Sequence, residues 1–149
     1  MDYSKNILVK MNDLLIMNYE SVKIYTETQK HLTHDGLKAF FKKRAMARQK
    51  FIVDLSLELK KLGGEPQYSQ KLSYNFYRTW IRLRDLFAEE NENDLLSEIS
   101  DLKAQDLEKY NELLREINLP LSVCKLLVKQ TDDIQSALNT IKRHNLQVA

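Results

Sequence analysis

Asn18, Arg44, Arg48, Lys103 and Gln130 each interrupt an apolar helical stripe near its midpoint. One polar residue in one stripe is ordinary. Polar residues at matching depth in four stripes describe a layer across the middle of a helical core. The chemistry open to that layer turns on its charges. Carboxylates would hold Fe²⁺ or Mn²⁺ through hard oxygen donors. Here Arg48 and Lys103 are cations, which repel such ions, and Asn18 and Gln130 are neutral. An unpaired buried cation is costly, so Glu20, Asp106 and Asp133 are the expected counter-ions. The layer is expected to be a hydrogen-bonded cluster that sets helix register, with no cofactor. The alternative is an iron or manganese site shifted onto Glu20, Glu98, Asp106 and Asp133, which requires these acids to converge inward.

Other reactive side chains read as structural. His31, His34 and Asp35 share a turn between helices, where an exposed polar turn is expected rather than a surface metal site. His144 is expected to cap the last turn of its helix. Tyr74, Phe76, Tyr77, Arg78, Trp80, Arg82 and Arg84 mix aromatic and basic groups, a composition that can stack on bases or sit on a membrane. The aromatics fall on one helical side, so they are expected to cover the core while the arginines face water. Tyr77, Trp80 and Arg84 are then the residues to form an interface, since Trp, Tyr and Arg are enriched there. Cys124 is expected to pack as a small apolar residue. Phosphate-loop, nucleophile-elbow and Cys-His metal patterns are absent from the sequence.

Composition narrows the classes. With 23 basic and 21 acidic residues the net charge is +2, which gives no support to a nucleic-acid binder. A single cysteine forms no internal disulfide. The N-terminus lacks the basic and apolar pattern of a leader, and no stretch has the roughly 18 apolar residues of a membrane span. A cytoplasmic protein without membrane contact is expected. The 149 residues suit one domain, 1–149.

Only 3 Gly and 2 Pro interrupt the chain, which favours a few long elements over many short ones. Apolar steps of three and four predict helices from about Ser4, as N-cap, to Lys30, from Thr33 to Leu62, from Asp94 to Ile117 and from Leu121 to Asn145. Gly63, Gly64 and Pro66 end the second helix, and Pro120 opens the last. The connection from Glu65 to about Asn93 carries a shorter helix, Leu72 to Phe87, with Phe76, Trp80, Leu83 and Phe87 on one side. A polar turn follows, with Asn93 or Asp94 as the next cap. Short loops make helices one and two a hairpin, and three and four another. The middle connection is long enough to cross the bundle. The expected fold is all-α, two antiparallel hairpins joined by a crossover that contains a shorter fifth helix.

Several segments carry a resemblance. They are Met11-Asn12-Asp13-Leu14-Leu15 followed by Asn18 and Tyr25, then Glu58-Leu59-Lys60-Lys61-Leu62-Gly63-Gly64-Glu65-Pro66, Trp80 in the crossover, and Glu98 with Tyr110. Over nearly its whole length the chain resembles a bacterial domain-of-unknown-function family (type 2383) of the ferritin-like superfamily, and the Leu-Gly-Gly-Glu-Pro turn is the most specific element. Asn18 and Tyr25 are seven apart, as are Lys103 and Tyr110. In metal-binding relatives the first of each pair is a ligating Glu. Dimetal members also use Glu-x-x-His on two helices. Here Gln130-x-x-Asp133 and Ala45-x-x-Arg48 stand instead, and Leu138 occupies the place of a late His. The resemblance implies a four-helix bundle with a degenerate metal centre. The expected role is a non-catalytic interaction or stress-associated protein, self-associating as a dimer, with its protein partner unknown.

Overall fold

The computed structural model describes residues 2–67 and 73–148, with side chains for 5–67, 73 and 75–144. Among these residues the regular structure is all helical, with five α-helices. They are α1 (Asp2–Thr28), α2 (Asp35–Lys61), α3 (Tyr74–Glu89), α4 (Glu92–Leu114) and α5 (Leu121–Val148). A single 3₁₀ turn, Gln29–His31, extends α1.

Side-chain chemistry sets the helix ends. His34 caps α2 by accepting the Leu37 N–H at Nδ1, 3.1 Å away. Ser73 caps α3 through Phe76 N–H at 3.0 Å. Asn91 caps α4 through Asp94 N–H at 3.1 Å. The cap of α4 is thus Asn91 and not Asn93 or Asp94. The turn is closed by Glu90 at φ 55°, so the helix starts earlier than the apolar pattern shows. α1 likewise begins at Asp2, which places Ser4 inside the helix rather than at its cap. α2 ends in a Schellman motif: Gly63 takes φ +83°, and Gly63 N–H and Gly64 N–H bond to Lys60 and Leu59 carbonyls, both at 3.0 Å. α4 ends at Leu114, so Ile117 lies beyond it and is 90% exposed instead of closing the stripe. α5 continues past His144, which packs edge-on against His34 at 5.3 Å rather than capping the last turn. Leu72, assigned from sequence to the crossover helix, and the Tyr74 side chain lie outside the described residues.

The long helices form a square. α1 packs on α2 and α4, and α5 packs on the same two, while α3 lies against α4 and α1. The two hairpins, α1–α2 and α4–α5, are joined by the α3 crossover as the loop lengths require. The buried apolar residues fall into two clusters. One gathers Met11, Leu15, Leu55, Leu59 and Leu127. The other gathers Phe41, Leu83, Leu96, Ile99 and Ile141. The polar layer stands between them.

A cationic hydrogen-bonded centre

Helix phase carries the polar residues inward. Asn18 has buried Met11 seven residues before it and Tyr25 seven after, Arg48 has Phe41 and Leu55, Lys103 has Leu96 and Tyr110, and Gln130 has Val123 and Ala137. Seven residues are nearly two helical turns, so each polar group shares the face of its buried neighbours. Asn18, Arg48, Lys103 and Gln130 are at most 2% exposed. Arg44 differs. It stands at the rim, its side chain 24% exposed, and pairs with Asp133 at 2.6 Å, so it does not belong to the buried layer. It lies one turn before Arg48 on α2, toward the α5 side of the inward face.

Arg48 is the hub. Its Nη1 donates to Asn18 Oδ1 at 3.0 Å and Ser21 Oγ at 3.2 Å. Its Nη2 donates to Asp106 Oδ2 at 2.9 Å and Tyr25 OH at 3.2 Å. Asp106 is therefore the counter-ion of the centre. Asn18 Nδ2 donates to Leu14 O at 2.8 Å and to Tyr110 OH at 3.0 Å. Tyr110 OH donates onward to Gln130 Oε1 at 2.6 Å, and Gln130 Nε2 reaches Phe51 O at 3.4 Å. Lys103 Nζ lies 4.3 Å from the centroid of the Tyr25 ring, a cation–π geometry. The two hairpins thus exchange partners. Asn18 of α1 meets Tyr110 of α4, and Lys103 of α4 meets Tyr25 of α1.

Burial shapes the titration of every group here. It holds Lys103 well below the ordinary lysine range, and the charge of Arg48 adds to that effect. It lifts the Asp106 carboxyl against the pull of Arg48 and Lys103. It raises the Tyr25 phenol to about 12 and that of Tyr110 further. For Arg48, burial works against the charge, but Tyr25 and Asp106 outweigh it and keep the guanidinium protonated.

The four acids do not converge on one point, although Glu20 and Asp106 line one cleft. Asp106 faces Arg48 and Asp133 faces Arg44. Glu20 accepts from Ser73 N–H at 3.4 Å and Oγ at 3.2 Å, and Glu98 pairs with Arg82 at 3.0 Å. Of the acids expected as counter-ions, Glu20 serves the α3 cap instead. Among the described residues, no group of three or more His, Cys, Asp or Glu is placed to hold a metal ion. His31 stacks on Phe87 at 4.2 Å, Leu138 is buried, and the Cys124 thiol donates to Leu119 O at 3.8 Å. In α3, Phe76, Leu83 and Phe87 are buried and Trp80 stacks on Phe76 at 5.7 Å, while Tyr77 is 53% exposed. Sequence reasoning missed Ser21, which joins Arg48 to Asp106. Its position three residues after Asn18, on the same face, was the available signal.

The profile of a family described as Domain of unknown function (DUF2383) matches residues 6–116. No curated protein matches the sequence. In backbone the chain is similar to a bacterioferritin of Desulfovibrio desulfuricans, a protein with a diiron site, at a TM-score of 0.78 and 14% identity over 99% of this chain and 82% of that one. It is also similar to a dodecameric thioferritin, the bacterioferritin-related protein of Bacteroides fragilis, at 0.79 and 11% over 97% and 87%. At these identities the likeness establishes the fold, a ferritin-like bundle. No helix among the described residues is long and apolar enough to cross a membrane.

Proposed function

The chain belongs to the DUF2383 family, and from that premise we propose that it is a metal-free ferritin-like bundle, not an enzyme, which works through its surface as an interaction protein. The observation that carries this reading is the Arg48–Asp106 ion pair at 2.9 Å in the middle of the bundle. The residues there do not fit a pair of metal ions. The Asn18 and Gln130 side-chain oxygens already accept from Arg48 and Tyr110, and Asp106 Oδ2 from Arg48 and Ser21. An added dication would meet the Arg48 guanidinium within the same shell. The buried network fixes the pairing of the hairpins and leaves the outer faces to act.

Self-association is part of the proposal. The similar thioferritin is dodecameric, and Tyr77 and Ile81 present exposed apolar surface on α3, beside Trp80 and Arg84. A dimer through this face is the smallest assembly consistent with it. A role in stress rests on fold analogy.

The test is metal content by mass spectrometry on tag-free protein purified without chelator, then offered Fe²⁺ and Mn²⁺. Substoichiometric metal and an unchanged melting temperature are expected. Stoichiometric metal would overturn the reading and favour a ferritin-like iron or manganese protein with ligands among Glu20, Glu98, Asp106 and Asp133.

A further inference from the structure

A cleft of about 310 Å³ lies between α1, α3 and α4, and its floor opens on the buried centre. Ser21, Tyr25 and Asp106 belong to both. Asp106 is 9% exposed, and its hydrogen bonds from Arg48 and Ser21 both fall on Oδ2. Among the described residues none falls on Oδ1, which leaves one oxygen of this nearly buried carboxyl open to a donor from the cleft that Asp106 lines. Glu20 lines the same cleft, and Asp13 stands two helical turns earlier on α1. Among the described residues the lining thus holds three carboxyls against one ammonium, that of Lys109. Ile16, Met17, Phe76 and Leu102 supply apolar wall between them.

We propose that this cleft binds a short aliphatic diamine, one ammonium donating to Asp106 Oδ1 and Glu20 at the floor and the other to Asp13 at the mouth. Charge-assisted hydrogen bonds give such a ligand its two anchors, and the methylenes lie on the apolar wall. Seven residues of helix separate Asp13 from Glu20 by about 10 Å along the axis. Two hydrogen bonds of about 2.8 Å then leave about 5 Å between the nitrogens, the span of three extended methylenes or of four with a gauche bond. Burial lifts the Glu20 carboxyl, and the nearby Asp106 adds to it, so a cation between the two relieves both. The charge of Arg48 behind the floor is already met by Asp106 Oδ2.

Isothermal titration of the full chain with 1,4-diaminobutane at low salt tests the site, with butylamine and 1,4-butanediol as controls. Saturable binding of one diamine per chain is expected, with butylamine about tenfold weaker and no binding of the diol. Glu20→Gln and Asp13→Asn should each weaken the diamine about tenfold, and neither residue supports the Arg48 network. Ile16→Trp should fill the cleft and abolish binding while the far-ultraviolet circular dichroism stays unchanged. Absence of saturable diamine binding would overturn the proposal. So would butylamine binding as tightly as the diamine, or diamine binding that survives both Glu20→Gln and Ile16→Trp.

Discussion

Among the described residues, Lys103 is the least compensated of the buried charged side chains. It is 1% exposed and meets the Tyr25 ring, but among the described residues it makes no hydrogen bond. An unfolded lysine holds its proton up to about pH 10.5, whereas folded Lys103 releases it well below that. Between the two values the unfolded state binds more protons. Stability therefore rises with pH through that window and falls as pH drops through it. Replacing buried ionic groups by apolar ones of similar volume is often neutral or stabilising by about 1–4 kcal/mol, and among the described residues Lys103 has no ion-pair partner that its removal would strand. Lys103→Met should accordingly be more stable than the natural chain in urea denaturation at neutral pH. Its advantage should shrink as pH climbs toward 10.5. An advantage that does not vary with pH would mean that Lys103 keeps its ordinary affinity for a proton.

At the scale of elements, the α2 terminus does most to set the chain's path into the crossover. Gly63 holds φ +83°, where a Cβ is strained, and Gly64 packs so closely that a Cβ would lie 2.8 Å from carbons of both Leu8 and Leu59. Gly63→Ala should cost about 1–2 kcal/mol, read as a lowered melting temperature with helix content retained. This turn was legible in the sequence because Gly-Gly followed by Pro has few other uses. The start of α4 was not, because Asn91, Asn93 and Asp94 are all good caps. The choice fell to Asn91 once Glu90 took the left-handed conformation that turns the chain out of α3. The same ambiguity hid the role of His34, a less common cap, whose ring also meets His144 from the far end of the chain.

The whole bundle consists of two apolar half-cores separated by one charged layer, and this gives it a specific pairing of hairpins. A slip of either hairpin by one turn would move Arg48 out of reach of Asp106 and strand both in an apolar half-core, which is strongly disfavoured. Outward, among the described residues, Tyr77 of α3 is the most exposed aromatic. Tyr77 and Ile81 are 53% and 58% exposed, one helical turn apart. In the proposed assembly they are covered. Light scattering coupled to size exclusion should then give a mass of at least two chains, and Tyr77→Glu with Ile81→Glu should reduce it to one. A natural chain that runs as a monomer at micromolar concentration would remove α3 as a self-association surface.

Periodicity, two glycines and the lengths of the loops determined the helices, their hairpin pairing and the inward phase of Asn18, Arg48, Lys103 and Gln130, because each is a local property of a chain with few breaks. Which charges pair was decided only by the tertiary structure. Asp106, Asp133, Glu20 and Glu98 looked alike as helical acids. Their fates differ because packing put Asp106 opposite Arg48, Asp133 opposite Arg44, Glu98 opposite Arg82 and Glu20 against the α3 cap. The exchange between Asn18–Tyr110 and Lys103–Tyr25 is of the same kind, since it joins residues 92 and 78 positions apart through contacts that exist only when the two hairpins are docked.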